Sequence, residues 1–163
     1  MSEVKGLPYI EDLKAQYDLG TFVETGCWKG DGIQAALDMG FSTVYSCDCN
    51  EDWVNHCHVR FSGDNRVVVE LVKSVDFLKK LFQDELRGVD ALFWLDAHFP
   101  NYCSGGNKFD DEGDLRFPLV EELRLIKSNT SKSVIYCDDM RVLADSGRQH
   151  EHAALPVIVT GKP

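Results

Sequence analysis

The run Thr21-Phe22-Val23-Glu24-Thr25-Gly26-Cys27-Trp28-Lys29-Gly30-Asp31-Gly32 constrains the fold more than any other stretch. Phe22 and Val23 read as the end of a buried strand, glycines follow at 26, 30 and 32, and Ile33, Ala36 and Leu37 then recur at helical spacing. The order is strand, glycine turn, helix. Glycine reaches φ > 0 and lets another group approach the backbone. The start of the helix turns free N–H groups and a positive dipole end toward that group. A nucleotide-like ligand suits such a place. The glycine spacing departs from the G-x-G-x-x-G of dinucleotide sites, and the Gly-Lys-Ser/Thr of a phosphate loop is absent. An acid, Glu24, stands inside the strand end, which suits a positively charged ligand better than a phosphate. A purely structural glycine turn is the alternative.

The remaining chain repeats the strand-helix alternation. Ile10, Leu13 and Tyr17 predict a short helix over 8–18, ended by Gly20. Strands are expected at 21–26, 43–48, 66–71, 91–96 and 133–137. Helices are expected at 31–39, after the Asn50 start signal (Trp53, Val54, Cys57 and Phe61 on one face), after a Ser74 cap, and around Leu119, Val120, Leu123 and Ile126. This predicts an α/β fold, a Rossmann-like three-layer α/β/α sandwich with a mostly parallel sheet. One domain fits the 163 residues: an N-terminal helical segment (1–20), a core (21–141) and a short C-terminal extension (142–163). Ligands of such sheets sit at the carboxyl ends of the strands. The glycine turn, Asp48, Asp96 and the pair Asp138-Asp139 all fall there. Asp48, on the strand after the glycine turn, is placed to hold a ribose diol, with a helix-capping role as the alternative. The polar loop 99–116 is long for a compact domain and suits a substrate pocket.

The formal net charge of −10 disfavours a nucleic-acid backbone or an anionic membrane as partner. No run approaches the ~18 apolar residues of a membrane span, and Met1-Ser2-Glu3-Val4-Lys5 lacks a signal-peptide pattern. A cytoplasmic protein is expected. The six cysteines contain no C-x-x-C pair, so a structural zinc site is not expected. Cys47, Cys49 and Cys137 lie in apolar, strand-like runs and read as small hydrophobes. His56 and His58 read as solvated rather than as a metal pair.

Taken together, Val23-Glu24-Thr25-Gly26 to Gly32, Asp48, Leu95-Asp96-Ala97-His98 and Cys137-Asp138-Asp139-Met140-Arg141 resemble a class I S-adenosylmethionine (SAM) methyltransferase, over roughly residues 20–141. Within that superfamily, an aspartate after strand 4 and an Asp-Asp pair after strand 5 are similar to the metal-dependent small-molecule and sugar O-methyltransferases of the macrocin and catechol type. The resemblance implies a cofactor site at Glu24, Gly26, Gly30, Asp48, Ser74 and Asp96. It also implies a Mg²⁺ held by Asp96, Asp138 and Asp139. Asp96 and His98 are the candidate catalytic residues, His98 taking the acceptor proton near neutral pH. The strand-end aspartates also read as loop or helix-start residues, and His98 as a loop histidine bonded to a carboxylate. Three departures stand out. Trp28 replaces a loop glycine. Val72-Lys73-Ser74 replaces an acid that contacts adenine, leaving Ser74 or backbone atoms to substitute. Only Leu155–Thr160 remains to form a further strand, so the last sheet edge is expected to be short or completed by a partner, a homodimer being the natural guess. The implied activity is methyl transfer to a hydroxyl oxygen of a small molecule. The alternatives are a non-catalytic SAM- or nucleoside-binding protein on the same fold, and a nucleotide-dependent oxidoreductase.

Overall fold

The structure is a computed structural model that describes residues 10–97 and 118–137, and the backbone of 155–160. Its elements are α1 (Ile10–Tyr17), β1 (Thr21–Thr25), α2 (Asp31–Asp38), β2 (Thr43–Asp48), α3 (Glu51–Arg60), β3 (Val67–Leu71), α4 (Ser74–Gln83), β4 (Leu92–Leu95), α5 (Leu119–Asn129), β5 (Lys132–Cys137) and β6 (Leu155–Thr160). The strands form one sheet in the order β3-β2-β1-β4-β5-β6. The first five are mutually parallel, and β6 runs antiparallel to β5 with Leu155 opposite Cys137 and Thr160 opposite Lys132. The expected mostly parallel α/β sheet is what is found, and the sixth strand comes from the segment anticipated for it. No helix among the described residues is long and apolar enough to cross a membrane.

Side-chain alternation along the strands builds two cores. Phe22, Val44, Leu92, Trp94, Val134 and Tyr136 face one side and pack with Ile10 and Leu13 of α1, Ile33 and Ala36 of α2, and Val54 and Cys57 of α3. Val23, Cys47, Phe93, Leu95, Ile135 and Cys137 face the other and pack with Phe77, Leu78 and Leu81 of α4 and Ile126 of α5. That is the three-layer arrangement expected of a doubly covered parallel sheet. β4 is central and buried at all four residues, which explains its uninterrupted apolar sequence.

Two local readings need correction. Ser74 does not cap α4: Lys73 is the N-cap, with no side-chain cap bond, and Ser74 is the first helical residue, buried at 8% exposure. Cys49 lies beyond the end of β2 and is exposed, so it is not a strand hydrophobe. His58 also does more than face water, since its Nε2 lies 2.9 Å from the carbonyl oxygen of Val69 and ties α3 to β3.

Candidate active site

The turn after β1 is fastened before any ligand arrives. The N–H groups of Gly26 and Cys27 both donate to the carbonyl of Cys47 at 2.9 Å. The Asp96 N–H donates to the Thr25 carbonyl at 3.0 Å, which joins the ends of β1 and β4. Gly26 has φ 92°, and a Cβ there would meet the Asp96 carbonyl oxygen at 2.9 Å. Only glycine fits, because both the backbone conformation and the space exclude a side chain. Trp28 adopts φ 39°, a conformation usually left to glycine, so this tryptophan takes the turn geometry that a loop glycine would supply. Its N–H donates to Asp48 Oδ2 at 3.1 Å, its ring is half exposed, and it packs edge-on against Trp53 with centroids 6.2 Å apart. Arg60 closes the far side, donating to the Lys29 carbonyl at 2.6 Å and to Asp31 at 2.7 Å.

Asp48 is the hinge of this arrangement. Oδ2 accepts from Trp28 and Oδ1 accepts from the Asn50 N–H at 2.9 Å. Asn50 in turn caps α3 by accepting from the Asp52 N–H. Both proposed roles of Asp48 are thus compatible. It braces the turn, and each oxygen keeps a second lone pair for an added hydroxyl.

The acids around the edge differ in environment. Glu24 lies under the turn rather than in its mouth: it is 3% exposed, and Oε2 accepts from Ser46 Oγ at 2.7 Å. Burial drives its pKa well above the usual carboxylate range. The Ser46 bond opposes this, and the nearby charges of Asp96 and Asp48 add to it. On the opposite face of the sheet, Glu122 of α5 is 1% exposed and pushed up to about 7, first by burial and then by Asp96. The hydroxyls of Ser74 and Thr25 are near enough to favour its charged form. Even so, Glu122 Oε1 and Thr25 Oγ1 have no partner at good hydrogen-bond geometry among the described residues. Glu122 was not anticipated from sequence, although an acid at the position between Leu119 and Ile126 on the apolar stripe was the available signal.

Of the anticipated site residues, Gly26, Gly30, Asp48 and Asp96 therefore gather around the carboxyl ends of β1, β2 and β4. Glu24 supports them from beneath, and Ser74 turns inward to Glu122. His98, Asp138 and Asp139 lie outside the described residues. Among the described residues, no group of three or more His, Cys, Asp or Glu side chains is placed to hold a metal ion.

No family model matches this chain, and no curated protein matches it either. Solved structures do. The Escherichia coli protein yhhF, assigned as a methyltransferase, superposes with TM-score 0.64 at 10% identity over 99% of this chain and 88% of its own. This is a methyltransferase fold. The O-methyltransferase of Bacillus cereus, solved with S-adenosylhomocysteine (SAH), gives TM-score 0.59 at 17% identity over 92% of this chain. The chain spans 64% of that protein, less than two thirds of its length. An rRNA methylase of Streptococcus thermophilus gives TM-score 0.55 at 16% identity, with 93% of both chains covered. By name, then, one of these neighbours is a methyltransferase, one an O-methyltransferase solved with SAH and one an rRNA methylase, and the likeness is one of fold.

Proposed function

We propose that this chain transfers a methyl group from SAM to a hydroxyl oxygen of a small molecule or sugar, with Mg²⁺ assisting. The observation that carries the reading is the convergence of the braced glycine turn, Asp48 and Asp96 on one edge of a sheet whose fold is similar to those of solved methyltransferases. The residues suit the cofactor. Asp48 has lone pairs left for the ribose diol. Gly26 lets the Asp96 backbone lie directly against the turn, which brings the end of β4 to the cofactor edge. The carboxyl of Asp96 at that edge suits the cationic methionine end. Ser74 is engaged with Glu122, so backbone atoms of residues 72–74 take the adenine contact. The net charge of −10 favours a small acceptor over an RNA acceptor.

The metal belongs to the same proposal. Asp96, Asp138 and Asp139 would hold it, since carboxylate oxygens suit a hard cation. Leu95 and Cys137, the residues just before Asp96 and Asp138, are register partners in β4 and β5. Bound there, Mg²⁺ would acidify and orient the acceptor hydroxyl. His98 takes the proton that the hydroxyl gives up, and the braced turn fixes the methyl donor in line with the oxygen.

Calorimetric titration with SAH, with and without Mg²⁺, tests the cofactor assignment. Asp48→Ala removes acceptors for two ribose hydroxyls and the brace on Trp28. At about 1.5–3 kcal/mol for a hydrogen bond to a charged group, affinity should fall at least about tenfold. Equal affinity for variant and wild type would remove the ribose assignment. Tight SAH binding without transfer to hydroxyl, amine or thiol acceptors would favour the non-catalytic alternative.

A further inference from the structure

Two thiols distant in sequence meet behind the glycine turn. Cys27 of the turn and Cys57 of α3 are 2% and 0% exposed, and both sulfurs point at one acceptor, the Trp28 carbonyl, at 3.8 and 3.5 Å. The turn backbone lies directly against Cys57: a Cβ on Gly30 would come within 3.1 Å of its Sγ, and the Gly30 N–H donates to the Cys27 carbonyl at 2.7 Å. The two thiols also hydrogen-bond each other, Cys27 donating to the Cys57 sulfur. That donation holds Cys57 below the ordinary thiol range. Burial opposes the shift and the Arg60 guanidinium assists it, while Asp48 and Asp31 act against. The same contact pushes Cys27 up. The two thiols are therefore unequal, one suited to ionise and the other to keep its proton. Cys57 also forms part of the wall of an open cleft of about 420 Å³ between the end of α3 and β3, lined further by His58, Phe61, Asp64 and Val69. Because Cys57 is 0% exposed, a small oxidant in that cleft reaches the sulfur through a local opening of the wall.

We propose that Cys57 and Cys27 form a redox modification site that a hydroperoxide converts to a disulfide, tethering the glycine turn to α3. In the first step the Cys57 thiolate attacks the peroxide. A sulfur–oxygen bond forms, the O–O bond breaks, and the departing alkoxide or hydroxide takes a proton to leave as alcohol or water. In the second, the Cys27 sulfur attacks the Cys57 sulfenic acid. The S–S bond forms, the S–O bond breaks, and the Cys27 proton leaves with the hydroxyl as water. Two thiols lose two electrons and the hydroperoxide gains them; a dithiol reductant reverses the exchange. Because both sulfurs now lean on the Trp28 carbonyl, the disulfide releases that carbonyl and shifts the residue whose N–H engages Asp48. The site does not depend on which ligand the turn receives.

The test uses the whole chain, reduced and then exposed to hydrogen peroxide. Remaining thiols are alkylated and the peptides sequenced by mass spectrometry. The expected result is loss of two of the six thiols and a cross-linked peptide pair joining Cys27 to Cys57. Dithiothreitol should restore both thiols. Cys49→Ser, at an exposed cysteine, should leave the cross-link unchanged. Cys27→Ser should leave Cys57 trapped by dimedone as the sulfenic acid. The proposal is overturned if Cys57 stays alkylatable while Cys49 oxidises, if Cys57 pairs with another cysteine, or if it proceeds to sulfinic acid in the wild type with Cys27 still free. The wild-type map alone decides between these outcomes, so a variant that folds poorly does not remove the test.

Discussion

Gly32→Ala is expected to destabilise the fold by about 3 kcal/mol, because the new methyl must compete with a buried carboxyl for one space. Gly32 is the second residue of α2, and a Cβ there would fall on the Glu24 carboxylate. Glu24 cannot simply swing aside. It is 3% exposed, and its Oε2 accepts from Ser46 at 2.7 Å. Overpacking a filled interior costs about 1–3 kcal/mol, and detaching a buried polar group from its partner adds about 1–3 kcal/mol. The better helix propensity of alanine returns at most about 1 kcal/mol. The loss should therefore be larger than for an ordinary glycine in a helix, where alanine stabilises. Urea unfolding of a double-mutant cycle isolates the cause. With Glu24→Ala in the same chain the clash disappears, and the pair should be more stable than the sum of the single losses by more than about 1 kcal/mol. Additivity within ~0.5 kcal/mol would mean that Gly32 is needed for some reason other than the Glu24 carboxyl. The same contact explains why an acid and a glycine eight positions apart belong together: the glycine makes room for the acid, and the acid carries the turn.

That pairing also shows how far the sequence could be read. The buried strands were legible because parallel strands covered on both faces are written as apolar runs, Ala91–Leu95 most plainly. The placement of Asp48 was legible because the Asn50 cap fixes where β2 must stop. Side-chain direction was harder. Ser74 looked like a cap because serine before an apolar helix usually is one, yet Ser74, Leu78 and Leu81 share a stripe. Packing of that stripe against α5 turned the hydroxyl inward to Glu122. Glu122 drew no attention in the sequence, although Leu119, Leu123 and Ile126 surround it on the helix. Cys49 looked like part of a strand, but the strand ends one residue earlier. The meeting of Cys27 and Cys57 leaves no local signal, since it depends on how α3 docks against a turn thirty residues before it in the chain.

Glu122→Gln is expected to raise stability by less than about 1 kcal/mol at pH 5 and by up to about 3 kcal/mol at pH 8. The ordinary glutamate value is 4.5, and burial with Asp96 nearby pushes Glu122 up to about 7 in the folded chain. The folded state thus holds this proton more tightly than the unfolded state does. The resulting stabilisation is complete below about pH 4.5, declines as pH rises, and is lost once pH passes about 7. Above that, the native protein must carry a carboxylate inside the α4–α5 layer. The difference between 4.5 and about 7 corresponds to a cost of about 3 kcal/mol at 1.36 kcal/mol per pH unit. Glutamine keeps the shape and the chance of hydrogen bonds to Ser74 and Thr25, and never ionises. Glu24, shifted in the same direction on the other face of the sheet, should leave the variant with a residual decline of its own, so the informative quantity is the difference between variant and wild type. Urea midpoints at pH 5 and pH 8 measure it. A difference that stays constant across that range would mean that Glu122 does not ionise inside the fold. A difference that grows toward pH 8 would establish an acid that titrates near neutrality on the opposite side of the sheet from Glu24, close enough to Asp96 to feel its charge, where a cationic ligand at the strand ends would draw it toward its charged form.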